Sequence, residues 1–230
     1  MPLARVPSVA DVEAEIRMLI GEARRIRDFD RLPVPFRAVA TDLVTGEEVV
    51  LSGGSLPDAL RASMSVPGAF SPVRIDDRLL VDGGMSNNLP VDVVREMGAD
   101  IVIAVDISSP MLSKEELTSV LSVTEQLTNF LTRWSTENQI DSLGPRDVLV
   151  VPDLEDFSSA DFHRVLAIVD QGYEAAEVQR DQLAQLPSAP RRTPREPPDA
   201  PSKITVEFVE VENDSVLDDR IIRSRLDVRP

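Results

Sequence analysis

The 230-residue chain contains no cysteine, one histidine (His163), one tryptophan and one tyrosine. Without cysteine, disulfides and thiolate metal sites are excluded, and the redox compartment is left open. With a single histidine, a His-rich zinc centre is not available and a Ser-His-Asp triad would have to use His163. That residue sits at the amphipathic start of an expected helix and reads as a packing or surface side chain. No stretch reaches the roughly 18 consecutive apolar residues of a membrane span. The amino-terminal MPLARVPSVADVEAEIRML lacks the basic-then-apolar order of a secretory signal. Basic residues are also in deficit, 24 Lys and Arg against 40 Asp and Glu for a net charge of −16. That balance argues against nucleic-acid binding, which uses basic patches to offset phosphate charge.

What is present suits a folded domain. A hydrophobic content of 42% with 28% charged residues supports one sizeable core plus a small appendage. Apolar residues recur at helical spacing from Val9 to about Asp28 (Val12, Ile16, Leu19, Ala23, Ile26). FRAVATD and EEVVLS, joined at Thr45-Gly46, read as a hairpin, LPDALRASM as a short helix, and VRIDDRLLVD as a tight hairpin turning at Asp76-Asp77. Pro90 suits the first turn of a helix over VDVVREMG capped by Gly98. ADIVIAVDIS reads as a strand buried on both faces of a parallel sheet, and DVLVVPDL as another buried strand. Between them a helix from Glu115 to about Ile140 is expected to carry Leu117, Val120, Leu121, Thr124, Leu127, Leu131 and Trp134 on one face. A last helix runs from SSADFHRV to about Leu186, opened by a Ser/Asp cap. Strands alternating with helices imply a layered α/β domain over residues 1–186.

Residues 187–202, PSAPRRTPREPPDAPS, are proline-rich and read as a semi-rigid linker. Beyond it KITVEFVEVEN reads as an alternating strand and DSVLDDRIIRSRL as a capped amphipathic helix. This βα piece over 203–230 is too small to bury a core alone.

The stretch VDGGMSNNLP concentrates the chemistry. Asp82 closes an apolar strand, Gly83 and Gly84 follow, and Asn87, Asn88 and Pro90 precede a helix. A carboxylate at the carboxyl end of a strand sits where α/β folds build their sites, and the glycines allow a backbone or a substrate to approach closely. Taken alone, D-G-G reads more readily as a turn with aspartate at its first position. Gly53-Gly54-Ser55-Leu56-Pro57 imitates a nucleophile elbow but ends in proline, so Ser55 with Asp58 reads as a helix cap. Ser63 and Ser65 precede a proline-rich loop without an elbow.

Taken together, LPVPFRAVATDLVTGEEVV, LPDALRASMSVPGAFSPV and LLVDGGMSNNLPVDVVREMGADIVIAVDIS resemble the patatin-like phospholipase family over about residues 28–185. The string Ala62, Ser63, Ser65, Pro67, Phe70, Pro72, followed by D-G-G and N-x-P (Asn88, Pro90), carries the likeness. The resemblance implies a three-layer α/β/α sandwich, hydrolysis of phospholipid or other lipid esters by a Ser-Asp dyad, and no cofactor or metal. It makes Asp82 the proton acceptor of the dyad, with Gly83 and Gly84 completing its motif and Asn87, Asn88 and Pro90 supporting the loop. An aspartate can serve a serine as base if partial burial raises its proton affinity. The family's upstream G-x-S-x-G elbow and glycine-rich oxyanion loop have no counterpart in these residues. The chain thus reads as an amino-terminally truncated catalytic domain, inactive by itself.

The tail ITVEFVEVENDSVLDDRIIRSRL is similar to the opening strand and helix of a POTRA domain. That likeness implies a full-length protein in the cell envelope, at the outer membrane or secreted, with membrane-surface contact and an envelope or barrel partner. The competing reading is a non-catalytic, degenerate patatin scaffold acting as an envelope interaction module through strand addition. Nucleotide binding lacks any G-x-G-x-x-G or P-loop fingerprint.

Overall fold

The computed structural model describes residues 9–108, 111, 114, 117–155, 157 and 164–187. His163, the proline-rich stretch from residue 188 and the tail 203–230 lie outside the described residues. What is described is a mixed α/β fold with an antiparallel sheet, a parallel strand pair and flanking helices.

The chain opens with α1, Val9–Ile20, shorter than the periodicity to Asp28 predicts. Gly21 takes φ +49°, which breaks the α-helix and leaves a 3-10 segment over Gly21–Arg25. Next come β1 (Ala38–Asp42) and β2 (Glu48–Leu51), paired antiparallel with Ala38 opposite Leu51. The Asp42 carboxylate accepts from Val44 N at 2.9 Å, and Gly46, at φ +76°, returns its amide to the Asp42 carbonyl. Helix α2, Leu56–Ser63, follows, with Ser55 at its N-cap position; contrary to expectation the Ser55 side chain makes no capping hydrogen bond. The preceding glycines are explained by packing at Gly53 and by backbone conformation at Gly54. A Cβ on Gly53 would lie 2.8 Å from the Arg27 carbonyl oxygen, and Gly54 sits at φ +95°.

Strands β3 (Val73–Ile75) and β4 (Arg78–Asp82) form the second hairpin. Asp76 and Asp77 both take positive φ, 47° and 63°, the signature of the two-residue turn whose twist matches the strands. β4 also pairs with β1, Ala40 opposite Asp82, so the sheet order is β2-β1-β4-β3. β1 is buried at all its positions. Its Ala38 and Ala40 join Phe29, Leu56, Ala59, Ala62 and Leu80 in the main core, with Ile20, Ala23 and Ile26 packed against it.

Beyond Asp82, helix α3 (Val91–Glu96) has Pro90 at its N-cap and not inside its first turn. It ends at Gly98, φ +89°, where Gly98 N bonds the Arg95 carbonyl and Ala99 N the Val94 carbonyl. This pair of bonds is a Schellman motif, which satisfies carbonyls the helix leaves open. β5 (Ile103–Val105) pairs in parallel with β6 (Val148–Val150). Only one face of β5 is buried, correcting the two-faced expectation: Ala104 is 4% exposed whereas Ile103 and Val105 are 53% and 48% exposed. Leu89, Val91, Val102 and Ala104 form a second, smaller core with Ile140, Leu143 and Leu149 beside it.

Between these strands runs α4, Val120–Asp141, entered through a capping box in which Ser119 and Ser122 exchange hydrogen bonds. This cap starts the helix after Leu117, which the periodicity had placed on it. Leu127 and Trp134, expected on a buried face, are 57% and 74% exposed. The last helical stretch divides at Gln179 into α5 (Val165–Val178) and α6 (Arg180–Ala184). Asp147 joins several of these elements. Its carboxylate accepts from Val102 N at 2.8 Å, Gly144 N at 2.6 Å and the Arg95 guanidinium, and its carbonyl accepts from Gln182 Nε2 at 2.8 Å.

No helix among the described residues is long and apolar enough to cross a membrane.

Candidate functional site

Asp82 is the last residue of β4, and its backbone is held from both sides. Its amide donates to the Ser65 carbonyl at 3.0 Å. Its carbonyl accepts from Thr41 Oγ1 at 2.9 Å. Ser86 Oγ lies 2.8 Å from Thr41 Oγ1 and 3.3 Å from the Gly83 carbonyl, closing a hydroxyl relay beneath the turn. Two segments far apart in sequence, the β1 strand and the loop after α2, thus fix where the Asp82 side chain starts.

The carboxylate is half-buried. Oδ1 accepts from Gly84 N at 2.8 Å, and among the described residues Oδ2 accepts no hydrogen bond and no serine hydroxyl reaches either oxygen. Burial lifts the Asp82 carboxyl above its ordinary value, with the Gly84 amide pulling the other way. Desolvation outweighing a single amide donor leaves a carboxylate that holds a proton more readily than one in water.

The two glycines have different tasks. A Cβ on Gly83 would sit 2.2 Å from the Val39 carbonyl oxygen and 2.5 Å from its carbon. The approach that Gly83 permits is therefore to the backbone of β1 and not to a ligand. A Cβ on Gly84 would meet Asn88 Oδ1 at 2.8 Å and Asp82 Oδ1 at 3.0 Å, so Gly84 lets two side chains converge over its own backbone.

Asn87 and Asn88 reach in opposite directions. Asn87 is buried and donates from Nδ2 to Glu48 Oε2 at 3.0 Å and Asp92 Oδ1 at 2.9 Å, joining β2 to the start of α3. Burial works against ionisation of Asp92, yet hydrogen bonds from Asn87, Gln139 and the Val93 amide hold its carboxyl below the usual range. Asn88 donates to Ser108 Oγ at 3.1 Å, tying the loop to the segment after β5. Pro90 leads into α3 and contacts no carboxylate of the site through a hydrogen bond. Asp82, Gly84 and Asn88 are brought together, Asn87 braces the loop from the far side, and Pro90 stands outside the cluster.

Of the serines singled out in the sequence, Ser65 comes nearest through its backbone alone. Its buried hydroxyl donates to the Arg61 carbonyl at 2.6 Å and accepts from Arg61 Nη1 at 2.5 Å. Arg61 is itself 3% exposed. It donates to the Ser71 carbonyl at 3.1 Å and stacks 5.1 Å above the Phe70 ring, and among the described residues its Nε has no hydrogen-bond partner. Sequence reasoning missed Arg61, Thr41 and Ser86. The first looked like an ordinary exposed helix residue, and the hydroxyls become partners only through the β1–β4 pairing. Among the described residues no group of three or more His, Asp or Glu side chains could hold a metal ion.

Comparison with known proteins agrees with this segment. Residues 6–95 match the family model described as patatin-like phospholipase. An uncharacterised NTE family protein of Mycobacterium tuberculosis is 43% identical over 79 residues, covering 34% of this chain and 22% of that protein. A second from the same organism is 42% identical over 78 residues, covering 34% and 13%. The mouse (Mus musculus) patatin-like phospholipase domain-containing protein 7 is 45% identical over 85 residues, covering 36% of this chain and 6% of that protein. The chain thus spans less than a quarter of the length of these curated relatives.

Proposed function

We propose that this chain carries the general-base half of a lipid acyl hydrolase of the patatin type, in which Asp82 accepts the proton of a serine supplied from outside these 230 residues. The observation that carries the reading is the Asp82 carboxylate itself. It lies inside the family-matched segment, at the end of a central strand, with its backbone clamped on both sides and, among the described residues, no donor to one of its oxygens. In this reading Asp82 takes the hydroxyl proton as the serine oxygen attacks the ester carbonyl, and gives it to the departing alcohol. Water then repeats the sequence to free the acid. The raised proton affinity of Asp82 suits that role, because a carboxylate at its ordinary value is a weak base near neutral pH. The substrate class is a phospholipid or other lipid ester, and the setting is an α/β/α sandwich whose remaining layers are supplied by the same missing sequence.

The test begins with the genomic DNA upstream, read in frame for a G-x-S-x-G between a strand and a helix. The extended protein is then expressed and fatty-acid release from phosphatidylcholine is measured. Asp82→Asn is expected to lower turnover by about three orders of magnitude or more while circular dichroism stays unchanged. Turnover within about tenfold of the parent would falsify the assignment of Asp82. The 230-residue chain alone is expected to take no specific fluorophosphonate label, and a mapped serine adduct would contradict the external serine.

A further inference from the structure

Arg61 stands in the last turn of α2, where an arginine ordinarily keeps its charge in water beside the open carbonyls. Here the residue is 3% exposed. Among the described residues its side chain meets only neutral groups, Ser65 Oγ, the Ser71 carbonyl and the Phe70 ring, and its Nε meets no acceptor. Burying a cation without an anion is costly, and an apolar side chain of similar volume would fill the same space at less cost. Packing of the core therefore does not account for a guanidinium at this position.

The contacts of Arg61 have one thing in common, in that all of them lie on residues 65–71. That segment turns back at Pro67-Gly68, where Gly68 takes φ +85° and the Ala69 and Phe70 amides both bond the Val66 carbonyl, at 3.1 and 3.0 Å. Within it only Ser65 is buried, so little apolar packing holds it in place. The planar fork of Arg61 reaches both ends of the turn at once, Nη1 to Ser65 and Nη2 to Ser71, with the Phe70 ring over its face. A lysine has no second arm with which to copy that grip. Ser65 in turn offers its carbonyl to the Asp82 amide at 3.0 Å, so a single residue connects the guanidinium with the backbone of Asp82.

We propose that Arg61 is a positioning residue, bracing the 65–71 turn so that the Ser65 carbonyl holds Asp82, and with it the carboxylate, at a fixed place in the site. It acts through Ser65 and touches no reacting atom. The catalytic task of that carboxylate rests on the hydrolase reading; the bracing of its backbone does not.

The test follows hydrogen exchange of the Asp82 amide by NMR in the 230-residue chain, in the parent, Arg61→Met and Arg61→Lys. Arg61→Met removes the unpaired cation and is expected to keep the urea midpoint within roughly 0.3 M of the parent or to raise it. Its Asp82 amide is expected to exchange at least about tenfold faster, while those of Ala40 and Leu80 keep their protection. Arg61→Lys keeps the charge without spanning Ser65 and Ser71 and is expected to release the same amide; it carries the comparison if the methionine variant does not fold. An Asp82 amide as protected in the folded variant as in the parent overturns the proposal. So does a lower midpoint with Asp82, Ala40 and Leu80 all exchanging faster together, which makes Arg61 a support of the whole core. In an extended protein with turnover, Arg61→Lys is expected to lower kcat at least about tenfold with KM within about twofold of the parent. A change in KM alone means substrate contact and overturns the positioning role. Retained turnover in Asp82→Asn removes the hydrolase reading and leaves the exchange result standing, whereas unmoved exchange beside an inactive Asp82→Asn removes the bracing alone.

Discussion

Replacing Gly83 by alanine is expected to cost about 2–4 kcal/mol of folding stability. The added Cβ would lie 2.2 Å from the Val39 carbonyl oxygen and 2.5 Å from its carbon. Both atoms belong to the backbone of a central strand, so no side chain can rotate away. Relief requires the turn after β4 to lift off β1, an overpacking strain of about 1–3 kcal/mol. That movement also lengthens the Thr41 bond to the Asp82 carbonyl, worth about 1 kcal/mol. Two other glycines serve as controls. Gly84→Ala meets the ends of side chains, Asn88 Oδ1 and Asp82 Oδ1, and is expected to cost about 1 kcal/mol. Gly172→Ala, in α5 with nothing within 4 Å, is expected to stabilise by up to about 1 kcal/mol. In urea titrations followed by circular dichroism, Gly83→Ala should lower the midpoint by roughly 1–2 M. A Gly83→Ala midpoint within roughly 0.3 M of the parent would refute the close contact of the turn with β1.

Other outcomes follow from the same geometry. Burial alone would raise the Asp147 carboxyl, but the Val102, Gly144 and Arg95 donors hold it below the usual range. Its contribution is therefore present above the ordinary value near pH ~3.9 and is lost as pH falls through the lower folded value. Asp147→Asn turns an amide group toward those donors and is expected to cost about 3 kcal/mol at pH 7, a deficit that shrinks in acid; urea midpoints at pH 7 and 3 check this. Asp82 has the opposite sign: its raised folded value means the stabilising contribution is full below the ordinary carboxylate value and disappears as pH rises through the folded one. Asp82→Asn should therefore be as stable as the parent or slightly more so at pH 7, and thermal melts showing a large loss there would contradict the burial argument. Thr41→Val keeps the shape of β1 but removes the donor to the Asp82 carbonyl, an expected loss of about 1–2 kcal/mol measured by the same melts.

Local pattern carried much of this fold. The Asp76-Asp77 turn is legible because aspartate tolerates the left-handed region that a two-residue hairpin demands, and the Thr45-Gly46 hairpin and the Gly98 cap follow from the same chemistry. What failed to show is what depends on partners distant in sequence. Periodicity placed Leu127 and Trp134 on a buried face of α4 but could not say that both point away from the described protein. An apolar run marked β5 but not that Ile103 and Val105 lack a covering layer among the described residues. At the candidate site, Asp82, Gly83 and Gly84 were legible as a motif, whereas the clamp from Thr41 and Ser65 exists only once β1 pairs with β4. Ser55 shows the converse: a good capping sequence occupied the cap position without making the bond.

The two separate cores imply that the domain does not open as one body. The larger is assembled mainly from hairpins and short helices of residues 20–82, contacts that close over short stretches of chain. The smaller depends on a parallel pair whose strands are joined through all of α4, a longer closure with fewer buried side chains to offset it. Sub-global opening is therefore expected to release β5 and β6 first, with amides of Val102 and Ala104 exchanging while those of Ala40 and Leu80 stay protected. Asn88, reaching from the Asp82 loop to Ser108, lies on that seam, so this loop is tied to the part expected to open first.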